Sequence, residues 1–190
     1  MLTDRFDEAL AYASRLHRNQ RRKGTNIPYV SHLLGVAAIA LENGADEEGA
    51  IAALLHDSIE DQDVTEADIA ALFGPAVARI VADCTDGEPG DRDDKSYAAW
   101  RRRKEAYIAT LYKKPEASLR ISLADKTHNA SAILADLLAI GPTVFDRFTG
   151  KRDGTLWYYR ALSDAFRAQI PGHGTERLAR IVDDLHHHAA

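Results

Sequence analysis

Apolar residues recur at three- and four-residue intervals along nearly the whole chain, and no stretch alternates at every second position. Residues 3–19 set the pattern, with Phe6, Leu10, Ala13 and Leu16 on one side of a helix. The segment "RRKGTNIPYV" interrupts it as a loop, through Gly24, Asn26 and Pro28. Ser31 is placed to cap a helix that runs through Glu42, where Asn43-Gly44 stops it. A strongly apolar helix follows over 47–60. Thr65, with Asp68 three residues on, reads as the capping box of a short helix that ends at "FGP". The next helix covers 75–84. Residues 86–96, "DGEPGDRDDKS", form the one long polar stretch with glycine and proline, and predict a loop. Helices are expected at 97–113 and 116–138; Gly141-Pro142 then separates a short helix at 143–149 from two more at 153–170 and 175–187. The reading is an all-α chain of about eight to ten helices. Its 190 residues fit one domain over 1–190 with a substantial core.

Composition narrows the function classes. The net charge of −5 gives no global basic field, which argues against a nucleic acid polymer as partner. The N-terminus "MLTDRFDEALAYAS" lacks the apolar core of a signal peptide. No run reaches the ~18 apolar residues of a membrane span. A soluble cytoplasmic protein that does not engage membrane is the expectation, with its oligomeric state open. The single cysteine, Cys84, excludes an intrachain disulfide and reads as a small buried apolar side chain. His186, His187 and His188 read as a tail without function.

Polar groups set into apolar helices carry the chemistry. "LLHDSIEDQDVT" places His56, Asp57, Glu60 and Asp61 at the end of the apolar helix. Charges there are costly to bury unless paired. Glu60 lies one turn beyond His56, and Asp61 one turn beyond Asp57. His32 sits at the start of "SHLLGVAAIAL", and Asp125 interrupts the apolar run of "ISLADKTHNASAIL". His128, three residues on, reads as a supporting or surface histidine. His32, His56, Asp57 and Asp125 together form a mixed imidazole and carboxylate set that suits Mn²⁺, Fe²⁺ or Zn²⁺, with Mn²⁺ favoured because carboxylate is plentiful and thiolate absent. Four protein ligands leave positions for water and a phosphate oxygen, the arrangement of metal-assisted hydrolysis.

The order H…HD…D resembles the HD superfamily of metal-dependent phosphohydrolases. "HRNQRRKGTNIPYVSHLLGVA", "AALLHDSIEDQDVT", "FGPAVARIVADCTD" and "ISLADKTHNA" are similar to successive motifs of the hydrolase domain of the RelA/SpoT homologue family, and most of all to its small alarmone hydrolases. The resemblance covers roughly residues 5–138. It implies an HD-domain helical fold and removal of pyrophosphate from the 3′ position of (p)ppGpp, usually with Mn²⁺. By motif it implies His32, His56, Asp57 and Asp125 as metal ligands and Glu60 and Asp61 as the acidic pair of the hydrolases. Arg22 and Lys23 match the basic pair, and Asn129 matches the asparagine at the nucleotide. The loop "KGTNIPY" differs from the commoner "KSGEPY", and Lys126 stands where many bacterial members have arginine.

A pyrophosphate ester needs positive groups beside these acids. Arg22 and Lys23 supply some; in "WRRRKEAYI", Arg103 and Lys104 are the members expected to reach phosphate. Glu60 and Asp61 would handle protons, with the choice of general base left open. Tyr29, Trp157 and Tyr158 read as packing aromatics rather than a base platform. Guanine and adenine alarmones remain alternatives. So do an NADPH 2′-phosphatase or nucleotidase built on the same fold, and a nucleotide-sensing module that does not cleave.

Overall fold

In the computed structural model, which describes residues 1–85, 94 and 96–190, ten α-helices and one 3₁₀ segment form; among the described residues the only β pairing is an isolated bridge between Arg21 and Pro28. The all-α expectation therefore holds. The loop expected over 86–96 lies, apart from Asp94 and Ser96, outside the described residues. The helices are α1 (Asp4–Leu16), α2 (Val30–Glu42), α3 (Glu47–Leu55), α4 (Ser58–Asp61), α5 (Glu66–Phe73), α6 (Pro75–Cys84), α7 (Tyr97–Leu111), α8 (Glu116–Ile140), α9 (Lys151–Gln169) and α10 (His173–His188), with the 3₁₀ segment at Gly141–Arg147. They group into two compact units. The first is Met1–Thr85 with Pro115–His128; the second holds α7 and Asn129–Ala190.

The first unit is built around α3. Every residue from Gly49 to Leu55 is buried, so this helix has no solvent face and needs neighbours on all sides. It packs against α1, α2 and α6. α1 contributes Ala9 and Ala13, whose small side chains let the helices approach closely, and α2 contributes Leu33, Val36 and Ala40. Asp46 caps α3 by accepting from the Gly49 N–H at 2.9 Å. Thr65 and Asp68 form the expected capping box of α5. Asn43 caps the end of α2, and Gly44 turns the chain at φ 82°, as the sequence predicted.

Three local expectations fail for identifiable reasons. Ser31 does not cap α2. The helix begins at Val30, because Tyr29 already has helical angles and the Ser31 and His32 amides bond back to Pro28 and Tyr29. The helix expected over 47–60 is two helices, with His56 and Asp57 as the joint. There the His56 ring nitrogen reaches the Ala53 carbonyl at 2.8 Å and competes with the backbone for it. His186–His188 are the last turn of α10 rather than a tail, held by the buried Leu185 before them.

In the second unit α9 packs against α7, α10 and the 3₁₀ segment. Trp100 lies so close to Gly150 that a Cβ there would sit 2.6 Å from its ring. Tyr158 is buried, as expected of a packing aromatic, whereas Trp157 is half-buried beneath the Arg101 guanidinium. Cys84 is half-buried rather than buried, its thiol 3.8 Å from the Ser122 hydroxyl. Among the described residues no helix is long and apolar enough to cross a membrane.

Leu54 is fully enclosed on α3, so Leu54→Ala should cost about 2–5 kcal/mol through lost burial and a residual cavity. Thr65→Ala, which removes one cap at an exposed helix end, should cost about 1 kcal/mol. Chemical denaturation of the two variants checks the order.

Candidate metal centre

The joint between α3 and α4 aims its side chains at the first turn of α2. His56 is in helical conformation, and Asp57 follows at φ −98° and ψ 2°, off the helical ladder. This break lets two adjacent residues converge, whereas on a continuous helix they would diverge by about 100°. His32 approaches from α2 and Asp125 from the part of α8 that belongs to the first unit. His56 Nε2 lies 2.9 Å from Asp57 Oδ2 and 3.7 Å from Asp125 Oδ1. His32 Nε2 lies 3.6 Å from the same Asp57 oxygen and 3.3 Å from the same Asp125 oxygen. Ligands cis to one another around an ion at ordinary bond lengths are separated by about 3 Å. One donor atom each from His32, His56 and Asp57 lies within 4.8 Å of the others. The structure thus brings together all four residues singled out in the sequence as ligands.

The protonation pattern suits a cation. His56 donates from Nδ1 to the Ala53 carbonyl, so its Nε2 lone pair faces the carboxylates. That Nε2 is buried. A lone pair facing carboxylate oxygens is repulsive unless a proton or a metal ion lies between them. Without a metal, the proton is the answer. Burial works to lower the His56 pKa, but Asp57 and Asp125 outweigh it and hold the pKa well above the ordinary histidine value. Burial likewise works to raise both aspartates. His56 and His32 hold Asp57 far below the usual carboxylate range, and Lys126 with the two histidines does the same for Asp125. Lys126 takes the outer oxygen, Asp125 Oδ2, at 2.8 Å, which leaves Oδ1 for the histidines.

The neighbouring residues fix this geometry. Tyr29 donates its hydroxyl to Asp57 Oδ2 at 2.6 Å, and burial and Asp57 keep it protonated by raising its pKa. Its ring stacks on the buried His17 at 5.3 Å, so its packing role also holds. Gln20 donates from its amide to Asp61 Oδ2 at 2.7 Å while its oxygen accepts from His17 Nδ1 and from Gln62. The motif "HRNQ" by itself assigns no role to His17 or Gln20. The signal was a histidine on the apolar face of α1, a position that demands a partner. Glu60 is half-buried and Asp61 exposed, both on the one-turn helix α4 directly after Asp57.

Arg22 and Lys23 lie on the loop between α1 and α2. The Arg22 guanidinium stands 5.8 Å from the centre of the Tyr29 ring, and its charge helps keep His128 neutral. Burial is the largest cause, followed by the neighbouring His32 and then Arg22, and together they push the His128 pKa down to about 4. Asn129, Arg103 and Lys104 belong to the second unit. There Arg103 donates to the Asp94 carbonyl at 3.1 Å, and Lys104 lies 4.9 Å from the centre of the Tyr158 ring.

Comparison with known proteins places this geometry in context. The family model for the HD domain matches residues 9–155. The chain is 39% identical over 142 residues to guanosine-3′,5′-bis(diphosphate) 3′-pyrophosphohydrolase MESH1 of Drosophila melanogaster, covering 73% of each protein. It is 36% identical over 125 residues to the Homo sapiens protein of the same name, covering 64% of this chain and 65% of that one. A solved structure described as a metazoan ortholog of SpoT that hydrolyzes ppGpp and plays a role in starvation responses is similar at a TM-score of 0.77 and 32% identity, covering 95% of both chains.

Because His56 holds a proton in the metal-free cluster, a divalent ion must displace it. Affinity for Mn²⁺ should therefore rise with pH, and below the raised His56 pKa it should fall by about tenfold per pH unit. Calorimetric Mn²⁺ titrations from about pH 6 to about pH 9 measure this slope; a flat profile would mean that binding displaces no proton from His56.

Proposed function

Because this chain belongs to the HD domain family, we propose that it hydrolyses the 3′-pyrophosphate of guanosine or adenosine alarmones such as (p)ppGpp and releases pyrophosphate. The convergence of His32, His56, Asp57 and Asp125 beside the acidic pair Glu60 and Asp61 carries this reading. The activity for which the MESH1 relatives are named supports the substrate class. The two units act together in it as one phosphohydrolase domain, in keeping with a family match that runs through both. We assign the cytoplasm as its compartment, where nucleotide pools meet reduced thiols such as Cys84.

His32, His56, Asp57 and Asp125 would hold the metal, and their nitrogen and oxygen donors favour Mn²⁺. When bound, such an ion acidifies water and polarises phosphoryl oxygens. Glu60 and Asp61 accept the proton of the attacking water. Gln20 keeps Asp61 in place for this by donating its amide N–H to the carboxylate. The water oxygen bonds to the phosphorus carried on the 3′ oxygen, and that P–O bond breaks. The 3′ oxygen is then reprotonated as pyrophosphate departs. Arg22 and Lys23 offset the phosphate charge. For Arg103, Lys104 and Asn129 we propose contacts to phosphate and nucleoside on the strength of their charge and hydrogen-bonding groups.

Chromatography of products from ppGpp, ppApp and NADPH with added Mn²⁺ tests the substrate class. Pyrophosphate is expected from the first two, and inactivity on both would overturn the proposal. Asp61→Ala should lower turnover by at least about a hundredfold while the bound metal is retained. Loss of metal in that variant, seen by elemental analysis, would make Asp61 a ligand instead.

A further inference from the structure

Gly35 lies on α2 three residues after His32, on the same face of the helix. A Cβ at Gly35 would stand 2.2 Å from His128 Cδ2 and 2.3 Å from His128 Nε2. The His128 imidazole thus fills the space in which any other residue 35 would place its side chain. From that seat His128 Nδ1 approaches His32 Nδ1 to 2.9 Å, with the two ring centres 4.8 Å apart. A contact of this length between two imidazole nitrogens requires one N–H and one lone pair. If His32 offers its Nε2 lone pair to a cation, its Nδ1 carries the hydrogen and His128 Nδ1 accepts it.

We propose that His128, seated by the missing side chain of Gly35, is the positioning residue for His32: it fixes the tautomer and aim of that ring and so sets the affinity of the site for a divalent cation. The inference rests on the ligand assignment made under the proposed function. Metal-bound histidines characteristically donate their second ring N–H to a carboxylate, a carbonyl or water, and loss of that acceptor weakens metal binding. Here the acceptor is another imidazole. The hydrogen bond runs from α2 to α8, the two helices that deliver His32 and Asp125, so it also ties those two groups to each other. His128 is half-buried and faces the centre, where its ring also packs against that of His32.

The test is Mn²⁺ titration of the full chain after removal of metal by chelation, with folding of each variant checked by circular dichroism and thermal melting. His128→Ala should weaken Mn²⁺ binding by about ten- to a hundredfold. His128→Asn puts an amide atom where Nδ1 stood and should stay within about threefold of the parent. Gly35→Ala should lose affinity as His128→Ala does, because it evicts the ring. The double variant should bind no more weakly than His128→Ala alone, and should melt higher than Gly35→Ala because the clash is gone. Should Gly35→Ala fail to fold, His128→Ala, His128→Asn and the double variant still decide the matter. Unchanged affinity in His128→Ala, or losses that add in the double variant, would overturn the proposal while leaving the ligand assignment intact. A parent chain that binds no divalent cation would overturn both.

Discussion

The first unit depends on a conflict that its own chain cannot resolve without a positive charge. The Nε2 atoms of the buried His32 and His56 point at oxygens of the buried Asp125 and the half-buried Asp57, and the Ala53 carbonyl prevents the His56 ring from turning to offer a hydrogen from the other side. A proton answers the conflict in the metal-free protein, and a divalent ion held there would answer it with more than one bond. Buried charge of this kind is rarely a source of stability. α3, enclosed on every side, supplies that stability by apolar packing, and so leaves the polar end of the helix free to serve chemistry.

The break between α3 and α4 turns that packing into geometry. A continuous helix would have spread His56 and Asp57 over different faces and carried Glu60 and Asp61 away with them. The joint instead folds the proposed ligands inward, and the following turn carries the two acids. Tyr29 and Gln20 then each hold one carboxylate, Asp57 and Asp61 respectively, and both rest on the same buried His17. The supporting shell is thus anchored at the C-terminal cap of α1, a helix that contributes no proposed ligand.

Helical periodicity made most of the fold readable, because apolar stripes and caps are local properties of the sequence. The exceptions were also physical. The joint at His56 was invisible because the polar pattern of "HDSIED" suits one long helix as well as two, and only a side chain reaching back to the Ala53 carbonyl favours the break. The start of α2 was misplaced because Pro28 and Tyr29 enter the helix by backbone bonds, without a side-chain cap. The four proposed ligands were legible as polar residues in apolar surroundings. Gln20, Gln62 and Gly35 were not, since their importance lies in partners that are distant in sequence. A glycine within an apolar helix gives no hint that a ring from α8 fills its side-chain space.

The loop between α1 and α2 is closed at its base by the Tyr29 amide donating to the Gln20 carbonyl and, one step further out, by the Arg22 amide donating to the Ile27 carbonyl. The residues at that base are the ones that grip Asp61 and Asp57. Everything beyond the second rung, Lys23 to Asn26, can therefore change in length or character without disturbing the acids below. That separation lets the reach of the tip vary while two backbone rungs keep the grip on both acids fixed.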